Sequence, residues 1–175
     1  MFTNNDLRKL IIPLILEQLL GVTVGMIDGI MVARVGEAAV SGISLVDSIN
    51  ILLIGLFTAL ATGGAVISAQ HIGQKDYGKA RNNGEQLILI NFIISTFIML
   101  VTLFARNMIL NFIFKGIEVD VMGYANTYFF YSALSFPVLG IYSGCTALFR
   151  AMGNSKTPLY VSIVMNVINI VGNYI

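Results

Sequence analysis

Charge is scarce in this sequence. Only 11% of its 175 residues are Asp, Glu, Lys or Arg, against roughly 25% in an average soluble domain. Ten basic and nine acidic residues leave a formal net charge of +1, so there is no basic field to hold a polyanion, which excludes a nucleic-acid binder. The single cysteine, Cys145, excludes an internal disulfide framework and a Cys-based metal cluster. One histidine, His71, and no tryptophan are present. A lone histidine cannot form a His-x-x-x-His pair, and no Glu-x-x-His pair, Ser/His/Asp set or paired catalytic Asp stands out, which argues against a membrane-embedded enzyme. Three prolines leave long stretches free to be helical.

Apolar residues take the place of charge. They make up 57% of the chain, and the mean hydropathy is +0.84. A soluble or disordered chain needs more polar surface than that. The few charges are also spaced. Residues 48–74, 86–105, 121–149 and 157–175 are runs of 27, 20, 29 and 19 residues without Lys, Arg, Asp or Glu. About 20 mostly apolar residues cross a bilayer core. A fifth apolar stretch, 10–33, is interrupted only by Glu17 and Asp28. It is too long and too acidic for a cleavable signal sequence. The expected fold is an all-α polytopic membrane bundle with five transmembrane helices at about 10–33, 46–69, 86–105, 123–148 and 157–175. The last runs into Asn173-Tyr174-Ile175 without a polar flank, so the chain reads as cut at that end.

Seven of the ten basic residues (Arg8, Lys9, Lys75, Lys79, Arg81, Arg150, Lys156) fall on one set of alternate connections. The positive-inside rule then puts the N-terminus in the cytoplasm. Stretch 107–115 is apolar but too short to span and is expected in the outer interface. Asp47 is expected to cap the second helix, with a role in the site as the alternative, and Pro158 to open the fifth. Pro137 should kink the fourth, as a hinge or merely as shape. Gly63-Gly64 reads as close packing or a flexible point. No internal repeat is evident.

Acids inside spans are costly and are functional candidates. Glu17 and Asp28 lie eleven residues apart, about three turns, on one face of the first helix. Gly21, Gly25 and Gly29 lie beside or on that face, where small residues admit a neighbouring helix. Glu17 can equally pair with a donor on another helix. In the fifth helix, Asn166, Asn169 and Asn173 share one side. Asp28 lies roughly 27 Å above Leu10, while Asn169 and Asn173 lie roughly 16 and 22 Å above Pro158. A carboxylate and amide oxygens near one level can hold a proton or a hard cation such as Na⁺, or attract a cationic drug. The three asparagines can also serve as interhelical glue. Phe57, Phe129, Phe130, Tyr131 and Phe136 are available to line a broad pocket or to fill the core.

Several motifs occur in order along the chain. They are Pro13 with Glu17-Gln18; Met26-Ile27-Asp28-Gly29-Ile30-Met31-Val32; Val35-Gly36; Ala61-Thr62-Gly63-Gly64-Ala65; and Ser68-Ala69-Gln70-His71-Ile72-Gly73. Then come Lys75-Asp76, Ala80, and Phe149-Arg150-Ala151-Met152-Gly153-Asn154-Ser155-Lys156-Thr157-Pro158, followed by Asn166, Asn169-Ile170-Val171 and Asn173-Tyr174. The set resembles the multidrug and toxic compound extrusion (MATE) transporters over nearly the whole chain. The resemblance implies twelve helices in two six-helix lobes, of which this chain would supply helices one to five and lack the second lobe. It implies a multi-pass protein of the cell membrane that exchanges H⁺ or Na⁺ for drugs or organic cations, with no cofactor besides the coupling ion. Its implied partners are the small-molecule substrate, the bilayer and the missing lobe. Asp28 stands where the family has its N-lobe coupling carboxylate, and Asn169 where a helix-five residue helps form the same cavity. Asn173 replaces an Asp found in many members, and Val24 a Tyr found in some. A related flippase for lipid-linked precursors is the alternative, and would want a larger, more cationic cavity.

Overall fold

The computed structural model describes residues 4–174, apart from the side chains of residues 4–6, 9, 173 and 174. It consists of five helices: α1 (Asn4–Ala33), α2 (Glu37–Gly73), α3 (Tyr77–Ile113), α4 (Val119–Ala151) and α5 (Lys156–Tyr174). There is no strand among the described residues. The all-helical architecture read from the sequence is the one observed. Among the described residues, α1 to α4 are each long and apolar enough to cross a membrane. α5, with 19 residues, falls within the length range of a span.

The helices overrun the charge-free segments. α2 starts nine residues before the expected 46, and α3 begins at Tyr77 and runs through to Ile113. A run without charges marks the part of a helix that sits in hydrocarbon, not the helix itself, which continues until its backbone is capped or broken. No Gly or Pro interrupts residues 106–113. Residues 107–113 therefore extend α3 instead of forming the separate interfacial piece expected for 107–115. Likewise α2 begins at Glu37, so Asp47 lies ten residues inside the helix and caps nothing.

Short turns link the helices. Gly36, Gly116 and Gly153 turn with φ of 134°, 81° and 78°, a region that glycine enters without a Cβ clash. Asp76 caps α3: its carboxylate accepts from the Lys79 backbone N–H at 3.1 Å and pairs with the Lys79 ammonium at 2.9 Å. The ammonium first, and the backbone bond second, hold the Asp76 carboxyl below its ordinary value.

α2, α3 and α4 pack against one another along their lengths, with α2 on α4 the most extensive contact. Phe57, Phe129 and Phe136 are fully buried there with Val46, Leu110, Ala125 and Ala133. The Phe57 and Phe136 rings meet edge to face at 6.0 Å. Three of the five aromatics considered as pocket lining are therefore core. Of the other two, Phe130 lies under the Arg106 guanidinium and Tyr131 is exposed. The fully buried Asn91 of α3 donates from Nδ2 to the carbonyls of Phe57 on α2, at 3.4 Å, and Gly140 on α4, at 3.2 Å. One amide thus ties three helices together where water cannot. α3 approaches α4 so closely that a Cβ on Gly140 would meet the Ser95 side chain and lie 2.9 Å from the Asn91 carbonyl oxygen. Gly64 packs in a similar way against Leu87.

α1 and α5 form a second body. They pack chiefly on each other, with lesser contact of α1 to α2 and of α5 to α4. The glycine stripe of α1 does not serve close packing among the described residues: a Cβ at Gly21, Gly25 or Gly29 meets no atom within 4 Å.

Candidate functional site

The seam between the two bodies opens into a cleft of about 590 Å³. α1 contributes Gly25, Asp28 and Gly29, α2 Ser44 and Asp47, α4 Tyr128 and α5 Asn169. Met31, Val32, Val35, Val40 and Ile43 complete an otherwise apolar wall. Helical geometry explains the α2 side, since Val40, Ser44 and Asp47 follow at i, i+4 and i+7 and so share one face. Asp28 sits five residues before the end of α1 and Asp47 ten after the start of α2. Measured along the helices from the α1–α2 turn, the two acids lie roughly 8 and 15 Å deep.

Asp28 and Asn169, two of the residues expected to share a site, thus come to the same cleft, although counting from the span ends left Asn169 roughly 11 Å short of Asp28. The other candidates are placed elsewhere. Asn166 is half-buried and its Nδ2 donates to Ser162 Oγ of its own helix at 3.5 Å, and it does not line the cleft. The Asn173 side chain lies outside the described residues. Glu17 faces α4: its Oε2 accepts from Arg150 Nη2 at 2.8 Å and its Oε1 from the Tyr142 hydroxyl at 3.4 Å. The Glu17 side chain is 12% exposed and that of Arg150 31%. Glu17 therefore joins α1 to the end of α4, one of the two roles its position allowed.

Asp47 is the residue that sequence reasoning misassigned. Its Oδ1 accepts a hydrogen bond from the Tyr128 hydroxyl at 2.9 Å, linking α2 to α4 at the cleft wall. The signal was present in Gly36-Glu37-Ala38-Ala39, a turn glycine followed by residues able to open a helix, which places Asp47 inside α2. A second groove, of about 640 Å³ along α2 between Ile51 and Gly63, carries no ionisable lining residue. The cleft instead gathers carboxylate, phenol and amide oxygens, hard donors of the kind that suit H⁺, Na⁺ or an organic cation. No group of three or more His, Cys, Asp or Glu residues able to hold a metal occurs among the described residues.

The MatE family model matches residues 13–175. The chain belongs to the MatE family. Its relatives include an uncharacterized transporter, YisQ, of Bacillus subtilis (strain 168), 28% identical over 93% of this chain and 35% of that protein. Another is the multidrug export protein MepA of Staphylococcus saprophyticus, 26% identical over 90% of this chain and 35% of that one. Among solved structures, a MOP superfamily transporter from Pyrococcus furiosus superposes with a TM-score of 0.88 over 96% of this chain and 36% of its own. At 18% identity it shares the fold; a binding pocket of reverse polarity and a different function have been suggested for it. This MatE chain spans about a third of the length of the relatives it matches. Membership makes it part of a multi-pass membrane transporter family and not of an enzyme family.

Proposed function

We propose that this chain forms the first five helices of a two-lobe, twelve-helix antiporter of the cell membrane, with its N-terminus in the cytoplasm. The full-length protein exports drugs or other organic, often cationic, compounds in exchange for H⁺ or Na⁺. A second lobe of the same protein completes the transport path, and the bilayer and the small-molecule substrate are the remaining partners. The observation that carries this reading is that Asp28 and Asn169, on different helices, line one cleft at the seam between two helical bodies. Kinship with a multidrug export protein supports the substrate class.

Asp28 has the central role. Entry of H⁺ or Na⁺ from outside neutralises its carboxylate, with the Asn169 amide as a further oxygen donor and Asn173 one turn beyond on the same helix. Neutralisation changes what α1 prefers to contact, and substrate leaves outward. Ion and substrate must favour opposite conformations, because a ligand that binds both equally shifts neither. The cleft lining holds two carboxylates and no Lys or Arg among the described residues, which argues against the anionic head group of a lipid-linked precursor.

The test is dye efflux by the full-length protein in vesicles, with Na⁺ and pH gradients imposed separately. One gradient should drive efflux. Asp28→Asn should lower ion-driven efflux by about 100-fold or more, the scale of a lost transition-linked charge interaction. Full ion-dependent efflux by Asp28→Asn would remove Asp28 from the coupling step.

A further inference from the structure

Three acids sit within the membrane-spanning parts of the described helices, and their charges are treated differently. Glu17 is neutralised by Arg150. Asp28 shares its cleft with the amide of Asn169. Asp47 accepts a hydrogen bond from Tyr128 on Oδ1 and has no ion pair among the described residues. A phenol donor orients a carboxyl group without supplying an opposite charge, so an acid held this way at membrane depth offers a place for a cation. Its surroundings indicate which kind. Beyond Ser44, the α2 wall beside Asp47 is Val40 and Ile43, and Val32 of α1 and Val35 of the α1–α2 turn line the same cleft. This side of the cleft adds only the Ser44 and Tyr128 oxygens to the Asp47 carboxylate, and the hard-donor set that suits a small cation needs Asp28 and Asn169 to complete it. The Asp47 side suits a cation with an apolar body, and the cleft volume is that of a site for a drug-sized molecule.

We propose that Asp47, oriented by the Tyr128 hydroxyl, is the carboxylate that receives the cationic centre of a lipophilic organic cation, while Asp28 serves the coupling ion. The assignment rests on the antiporter reading of the cleft and divides its two acids between two cargoes. Asp47 thereby sets a preference for cations over neutral molecules of the same shape.

The experiment is equilibrium binding of tetraphenylphosphonium to the detergent-solubilised full-length protein without any gradient. Triphenylphosphine oxide serves as the neutral analogue. Asp47→Asn should weaken the cation by about 10- to 100-fold, the range of a hydrogen bond or contact to a charged group, and leave the neutral analogue unchanged. Asp47→Glu, which keeps the charge, should retain most of the affinity, and Tyr128→Phe should fall between. Unchanged cation binding by Asp47→Asn overturns the proposal. So do equal losses for cation and neutral analogue, which would mark a collapsed cleft, or absence of binding by the unmodified protein. Because no transport is measured, a protein that binds the cation through Asp47 yet exports nothing refutes the antiporter reading and leaves this assignment standing.

Discussion

The α2–α3–α4 bundle and the α1–α5 pair are built on different principles. In the bundle, aromatic rings interlock and Asn91 bridges three helices at full burial. In its three helices, 22–28% of the most apolar stretch is buried, against 6% in α1. The pair contributes few interior residues and adheres to the bundle through limited contact and the Glu17–Arg150 ion pair. Well-packed helices resist relative motion, because interiors at crystal-like density have no room to slide. Among these five helices the pair is the looser body, and mobility of the pair against the bundle is the expectation that the variants below test. The cleft with Asp28 and Asp47 lies at that seam, with one acid on each body.

The largest expected break in this contrast is at Gly140. Adding even one methyl there forces α3 and α4 apart or displaces Ser95, since the Asn91 carbonyl oxygen would lie 2.9 Å from the new carbon. Overpacking of this kind costs about 1–3 kcal/mol. Gly140→Ala should lower the thermal midpoint of the full-length protein in detergent by several degrees. An unchanged midpoint would mean that the bundle is looser than its geometry.

The tether comes next. Arg150→Gln leaves Glu17 with only the long bond from Tyr142. Both partners are partly shielded, so the effect should exceed that of a surface pair but fall short of a fully buried one, about 1–2 kcal/mol. In a double-mutant cycle with Glu17→Gln the two losses should not add. Additive losses would show that the two side chains act separately. If the pair of helices moves against the bundle, Arg150→Gln should also speed hydrogen exchange in α1 and leave α3 protected.

The sequence made the architecture legible where one physical rule dominates. Charge-free runs counted the helices because a buried charge in lipid is expensive. The meeting of Asp28 and Asn169 was legible because an acid and a row of asparagines inside spans must face protein or water, whereas helix rise levelled Asp28 with Asn173 instead. Helix ends were not, since α3 continues past Arg106 through the apolar residues 107–113, and one charge interrupts a hydropathy run without interrupting the helix. The partner of Glu17 was hidden because Arg150 lies 133 residues away, and spacing along one helix says nothing about which helix it faces. Asp47 was misread because the helix start was placed at the edge of the apolar run, when Glu37 already opens α2. The glycines of α1 looked like a packing stripe by composition alone, and only the positions of neighbouring atoms reveal open space around them.

Those glycines give the subtlest test of the contrast, since the same substitution should have opposite signs in the two bodies. A Cβ at Gly21 meets no atom within 4 Å, so alanine there removes backbone freedom from the unfolded chain without a clash. Gly21→Ala should stabilise α1 by about 0.5–1 kcal/mol, where Gly140→Ala destabilises α4. Gly21 is also not among the residues lining the cleft, one turn short of Gly25, so cation binding should be unaffected. The two variants are best compared side by side in one thermal-unfolding series of the full-length protein. Should Gly21→Ala lower the midpoint, a helix outside these five must press on that face. The stripe would then be a packing surface after all, and the mobility assigned to the α1–α5 pair would have to be withdrawn.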